Sequence, residues 1–97
     1  MQDESCKVLS GKARWDLVNT KLLENICRVR EYAVTHKYKD EENWKQVDPK
    51  HYLAAIQRHI SMIDDGEHYD KETGLLHISH IACNCMFLEW FYREGKI

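Results

Sequence analysis

The sequence predicts an all-α protein with three main helices and an amino-terminal arm. Three segments repeat apolar residues every three or four positions, which gathers side chains on one face of a helix. No segment shows the apolar–polar alternation of a half-buried strand. The single proline and the four glycines mark the breaks between segments. We therefore expect one helical domain over residues 1–97, a bundle that is completed by oligomerisation.

The arm and the first helix occupy the amino-terminal third of the chain. Residues 1–19 are polar and contain Gly11, which indicates an ordered arm rather than a helix. The first helix is expected over residues 20–36, with Thr20 as the N-cap. Its apolar stripe consists of Leu22, Ile26, Val29 and Ala33.

A second helix is expected over residues 48–65. Asp48 can cap it, and Pro49 suits the first helical position because the missing N–H has no helical partner there. Residues 66–74 then form an acidic loop between two glycines. A third helix follows over residues 75–93. It is apolar around most of its circumference, so more than one neighbour must cover it.

Length and composition favour an oligomer and exclude some classes of function. A 97-residue chain has a thin core, yet 43% of its residues are apolar, so we expect a homodimer or a dimer of dimers. The net charge of −2, without any long basic run, argues against binding to duplex nucleic acid. The sequence lacks a signal peptide and a membrane span, so we expect a cytoplasmic protein. Its four cysteines are then expected to be reduced, small, buried side chains.

Polar residues interrupt the apolar face of the third helix within the stretch GLLHISHIACNC. His77, His80 and Asn84 are spaced i, i+3, i+7 and fall within an arc of about 80°. His59 on the second helix also faces inward, with Arg58 beside it. Burying an imidazole or an amide without a partner costs a few kcal/mol, so these groups must be satisfied where they meet.

Three roles for this polar cluster remain open. The histidines can hydrogen-bond to one another and to the loop carboxylates, which would simply fix the loop. Alternatively, His77 and His80 can bind a divalent metal together with Glu67 or Asp70. In the third role, the cluster binds an anionic ligand, with Arg58 as the clamp.

Two further patches could contact a ligand. In GKARWDL, Lys12 and Arg14 beside Trp15 suit a phosphate clamp with a stacking surface, or else a tethered arm with a tryptophan anchor. In HKYKDEENW, Tyr38 and Trp44 can stack on a base or anchor an ordinary loop. The chain has no glycine-rich phosphate loop and no serine or cysteine beside an evident base.

These patches occur in an order that resembles a known family. GKARWDL, then KY and ENW, then YLAAIQRHI, then DGEHYDKETGLLHISHIACNCMFL are similar to small phage and prophage proteins labelled dATP/dGTP diphosphohydrolase N-terminal domain. That family is similar to MazG-like all-α nucleotide pyrophosphohydrolases. The resemblance runs from about Gly11 to Leu88.

The resemblance implies a nucleotide ligand. MazG-like enzymes are dimers or tetramers that hold Mg²⁺ or Mn²⁺ with carboxylates on two helices and cleave between the α- and β-phosphates. This sequence lacks the Glu-Glu-x-x-Glu helix and the following Glu-x-x-Asp helix, and has arginine and histidines instead. Imidazole favours Mn²⁺ or Zn²⁺ over Mg²⁺.

The leading hypothesis is a metal-dependent pyrophosphohydrolase that converts a deoxynucleoside triphosphate to its monophosphate and pyrophosphate. The expected metal is Mn²⁺ or Mg²⁺, and Zn²⁺ is less favoured. The expected location is the cytoplasm of an infected or lysogenic bacterium. The first alternative is a non-hydrolysing protein that sequesters a cyclic-nucleotide or ADP-ribose-type immune signal of the host, and the second is a purely structural helical oligomer. The predicted ligand-binding residues are Lys12, Arg14, Trp15, Tyr38, Trp44, Arg58, His59 and Asn84. The predicted metal ligands are Glu67, Asp70, His77 and His80.

Overall fold

The computed structural model describes residues 11–97, and its architecture is all-α. The three main helices are α1 (Thr20–His36), α2 (Lys50–Asp64) and α3 (His77–Arg93). Two short 3-10 helices precede α1 and α2, at Trp15–Leu17 and Asn43–Gln46. Within the described range the only extended pairing is an isolated antiparallel bridge between Tyr69 and Leu76. The predicted all-α fold with three main helices is confirmed.

Side-chain caps fix the starts of α1 and α2. The side chain of Asn19 accepts the N–H of Lys21 at 2.9 Å, so the prediction of Thr20 as the N-cap was wrong by one residue. At α2, Asp48 Oδ1 accepts the N–H of Lys50 at 3.0 Å. Pro49 already has helical backbone angles (φ −57°, ψ −20°). Asp48 therefore satisfies one of the free N–H groups at the start of the helix.

The start of α3 lies at His77 because the two residues before it belong to the loop. The carbonyl of Leu75 accepts the N–H of Asp70 at 2.8 Å, and Leu76 is extended (ψ 139°). Gly74 makes the tight turn possible because it has a φ of +76°, a conformation that costs glycine little. The loop is thus a small hairpin that delivers the chain directly into α3.

The third helix is the centre of the fold. Both α1 and α2 pack against α3, but no Cα atom of α1 lies within 8 Å of one in α2. Three buried apolar residues, Cys83, Phe87 and Phe91, all lie on α3. Trp44 covers them from the α1–α2 connection, where its ring stacks on Phe87 with centroids 4.7 Å apart.

The buried core of the single chain is small, and several apolar side chains remain exposed. Cys83 is buried as predicted, but Cys27 and Cys85 are exposed, so the prediction that all cysteines are buried was wrong. Cys85 lies two residues beyond Cys83 and therefore points to the opposite side of α3. Cys6 lies outside the described residues. None of the helices in residues 11–97 has the length and apolarity needed to cross a membrane.

We predict that Phe87→Ala destabilises the protein by about 3–5 kcal/mol, because it removes a buried ring and leaves a cavity under Trp44. Urea unfolding monitored by tryptophan fluorescence measures the loss. Tyr92→Ala on the same helix is the control, since Tyr92 is 66% exposed. We expect it to change stability by less than about 1 kcal/mol. Equal losses in both variants would contradict the proposed position of the core.

Candidate functional site

A cleft of about 650 Å³ opens where α1 and α2 diverge above α3. Because α1 and α2 approach α3 but not each other, the space between them is left for other groups. The α1–α2 connection and the hairpin loop before α3 complete its walls. The polar residues of α2 and α3 that the sequence singled out line this cleft.

A chain of hydrogen bonds joins three of these residues. The Nδ1 atoms of His59 and His77 lie 2.8 Å apart, and both side chains are buried. The other ring nitrogen of His77, Nε2, lies 2.8 Å from Glu67 Oε2. Both nitrogens of the His77 ring are therefore occupied, as its 2% exposure requires.

A second network holds the hairpin loop against α3. Asp70 Oδ2 accepts hydrogen bonds from the backbone N–H and the hydroxyl of Thr73, each at 2.9 Å. The Thr73 hydroxyl oxygen lies 2.8 Å from His80 Nε2. The rings of His80 and His59 stack with centroids 4.8 Å apart, which links the two networks.

Burial lowers the pKa of two histidines of the cleft. Burial first, and then the neighbouring His80 and His77, lower the pKa of His59 to about 4. Burial also lowers the pKa of His80, against the opposing effect of the Asp70 carboxylate. For Asp70, burial alone would raise the pKa, but the hydrogen bonds from Thr73 outweigh it and hold the pKa below its usual value. The site therefore presents neutral imidazoles beside a carboxylate.

Four cations also line the cleft, and only Arg58 was predicted. Arg30, Lys37 and Lys71 were missed. Arg30 and Lys37 follow Ile26 and Ala33 by four residues each, so the helical stripe of α1 carried a signal for both. In residues 11–97, the side chain of Arg58 has no carboxylate within ion-pair distance, whereas Lys37 pairs with Glu72 at 3.1 Å. Arg58 is thus available to an anionic ligand.

The structure brings nine of the twelve predicted site residues to this cleft, namely Tyr38, Trp44, Arg58, His59, Glu67, Asp70, His77, His80 and Asn84. Lys12, Arg14 and Trp15 do not line it. The Arg14 guanidinium pairs with Asp16 instead, and Trp15 is 71% exposed. In the single chain, residues 11–19 of the arm therefore do not supply the predicted phosphate clamp to the cleft.

Two of the nine make their contacts within the protein. Asn84 Nδ2 donates to the carbonyl of His80 one turn earlier at 2.8 Å. Trp44 stacks on Phe87 and meets Trp90 edge-on, so its ring serves the core. Tyr38, which is about half exposed, remains the aromatic side chain of the cleft that a base could stack on.

One set of side chains among residues 11–97 lies close enough together to hold a metal ion. His59, Asp70 and His77 each offer a ligand atom, and these atoms lie within 4.8 Å of one another. The set differs from the predicted one because His59 takes the place of Glu67 and His80. Glu67 is bonded to His77, and His80 to Thr73. Two imidazoles and one carboxylate suit Mn²⁺ or Zn²⁺ better than Mg²⁺.

We predict that the metal-free protein loses stability as the pH falls below 6.5. His59 stays neutral in the folded state down to its pKa of about 4, whereas the unfolded chain takes up a proton near pH 6.5. His59 alone then lowers the unfolding free energy by about 3 kcal/mol at pH 4. Urea unfolding between pH 8 and pH 4 measures this slope. His68→Gln, at an exposed histidine, should keep the slope, and a flat profile in the native protein would contradict the buried neutral ring.

A family model described as dATP/dGTP diphosphohydrolase, N-terminal, matches residues 3–97. A dATP/dGTP diphosphohydrolase from Salmonella phage PMBT28 is 31% identical over 84 residues, which cover 87% of this chain but only 28% of that relative. No solved structure matches the fold significantly. Because the family model spans almost the whole chain, this protein belongs to the dATP/dGTP diphosphohydrolase N-terminal family.

Proposed function

We propose that the cleft binds a deoxynucleoside triphosphate and that the chain acts in metal-dependent cleavage to the monophosphate and pyrophosphate. One observation carries the proposal. Three neutral or hydrogen-bonded histidines, two loop carboxylates and an arginine without an ion-pair partner among residues 11–97 converge in one cleft between helices. The family relationship supports a nucleotide, since the phage relative is named for dATP and dGTP.

Each side chain of the cleft would have the role that its chemistry allows. Arg58 and Arg30 line opposite helical walls and would bind phosphate oxygens, because guanidinium matches phosphate geometry and stays charged. Tyr38 would stack on the base without selecting it. His59 and Asp70 would hold a divalent metal, with His77 hydrogen-bonded to His59 behind it, and imidazole ligation favours Mn²⁺ or Zn²⁺ over Mg²⁺. Such a metal would neutralise phosphate charge and activate water for attack.

We expect the protein to convert dGTP or dATP to the monophosphate and pyrophosphate in the presence of Mn²⁺. Anion-exchange chromatography of the nucleotides, with a separate pyrophosphate assay, measures the products. Release of inorganic phosphate instead of pyrophosphate would contradict cleavage between the α- and β-phosphates. The same samples, denatured and re-analysed, show whether bound nucleotide is recovered intact.

Arg58→Ala should weaken triphosphate binding by roughly 10-fold or more and nucleoside binding much less, because it removes a charge-assisted phosphate contact. Arg93→Ala is the matched control, since Arg93 pairs with Glu89 on the exposed end of α3, outside the cleft. Equal affinities in both variants would show that Arg58 does not contact phosphate.

A second candidate function is sequestration without turnover, in the bacterial cytoplasm, of a nucleotide second messenger used in host defence. One observation favours it. All the carboxylates that line the cleft lie outside α2 and α3, while these helices supply arginine, histidine and asparagine. Such a surface binds phosphate charge without a metal. Metal-independent binding and full recovery of intact nucleotide would support sequestration over hydrolysis.

We also propose that the chain assembles as a homodimer or a dimer of dimers. Among residues 11–97 the buried apolar side chains all lie on α3, while Leu22 and Leu23 on α1, Leu53 and Ile60 on α2, and Ile78 on α3 are about 40–55% exposed. A second copy would cover part of this surface. Light scattering at micromolar concentration should give at least twice the mass of 11.6 kDa, and a monomeric mass would contradict the proposal.

A further inference from the structure

The buried pair His59–His77 has a hydrogen-bond direction that its neighbours determine. Two Nδ1 atoms at 2.8 Å can share only one proton, so one ring donates and the other accepts. The choice between them depends on the remaining nitrogen of each ring. Only His77 has a partner there, the Glu67 carboxylate at 2.8 Å.

A carboxylate can only accept, so the proton of this second bond lies on His77 Nε2. In its neutral form His77 carries one N–H, and that proton on Nε2 leaves Nδ1 without one. His77 Nδ1 must then accept from His59, and the proton of the buried pair lies on His59 Nδ1. By the same rule, His59 Nε2 carries no proton.

His59 Nε2 faces the cleft. It has no hydrogen-bond partner in residues 11–97, yet no fully buried side-chain nitrogen or oxygen in that range lacks a partner. The atom is therefore reachable from the cleft that His59 lines. The stacked ring of His80, inclined by 14°, limits rotation of the His59 ring. The lone pair of His59 Nε2 thus has a fixed direction and points into the cleft, which Asp70 also lines.

We propose that Glu67 is a positioning residue that fixes the tautomers of His77 and His59, so that His59 offers Nε2 to a divalent transition-metal cation. This rests on the proposed metal-dependent function and refines it. His77 then orients the ligand from behind, because both of its nitrogens are already bonded. Histidine ligands are commonly oriented in this way by a hydrogen bond from their other ring nitrogen.

The proton positions are measurable without any ligand. Two-bond proton–nitrogen correlation spectra of ¹⁵N-labelled protein, recorded about 1.5 pH units above the usual histidine pKa, assign each ring nitrogen as protonated or bare. We expect His77 protonated at Nε2 and His59 protonated at Nδ1. Protons on His77 Nδ1 and His59 Nε2 would overturn the proposal.

Glu67→Ala tests the role of the carboxylate. We expect His77 to lose its single tautomer, and Mn²⁺ affinity, measured by calorimetry with the metal alone, to fall roughly 10- to 100-fold. Glu72→Ala is the control, because it removes a negative charge from the same loop but Glu72 pairs with Lys37 rather than with a histidine. We expect this variant to keep the single tautomer of His77 and the Mn²⁺ affinity. Unchanged tautomers in Glu67→Ala, or equal affinity losses in the two variants, would contradict the proposal. If Glu67→Ala does not fold, the wild-type spectrum still decides the proton positions.

The results separate this inference from the proposed function. The expected tautomers with Mn²⁺ binding but no nucleotide cleavage would refute hydrolysis and leave the role of Glu67 standing. Nucleotide cleavage with reversed tautomers would refute the role of Glu67 and leave hydrolysis standing. Failure of the wild-type protein to bind Mn²⁺ would overturn metal binding in both this inference and the proposed function.

Discussion

The burial of His77 is the constraint on which the rest of the cleft depends. An imidazole that is 2% exposed has two nitrogens to satisfy, and water cannot reach either of them. One partner comes from α2 through His59, and the other comes from the hairpin loop through Glu67. A single side chain at the first position of α3 therefore ties together the two elements that form one side of the cleft. Its backbone N–H adds a third link, to the carbonyl of His68 at 2.9 Å.

Much of the fold could be predicted from the sequence because helices leave a local signal. The apolar stripe of α1 and the Asp48–Pro49 start of α2 depend on residues three or four positions apart, and their physics does not require knowledge of the partner. The start of α3 was placed two residues early for the opposite reason. Leu75 and Leu76 continue its apolar pattern, but their backbone pairs with Tyr69 and Asp70 across the loop.

The candidate site was predictable as a group of residue types but not as a set of contacts. Inward spacing identified His59, His77 and His80, since a polar residue on an apolar face must find a partner. It could not show that Glu67 would bond to His77 or that Thr73 would lie between Asp70 and His80. Those contacts depend on how the loop folds back. The arm could not be placed from the sequence for a similar reason, because the position of Lys12 and Arg14 depends on tertiary docking rather than on local spacing.

The separation of α1 from α2 has a mechanical consequence. No Cα atom of α1 lies within 8 Å of one in α2, so α1 is held by α3 and by its links to the connecting segment and the hairpin loop, and none of its side chains is buried. We therefore expect α1 to be less constrained than α2, and the width of the cleft to change without breaking the histidine cluster. A molecule that contacts Arg30 and Arg58 together would join the two outer helices for the first time. Part of its binding free energy would then offset the loss of motion of α1, so occupancy of the cleft would make this helix more rigid.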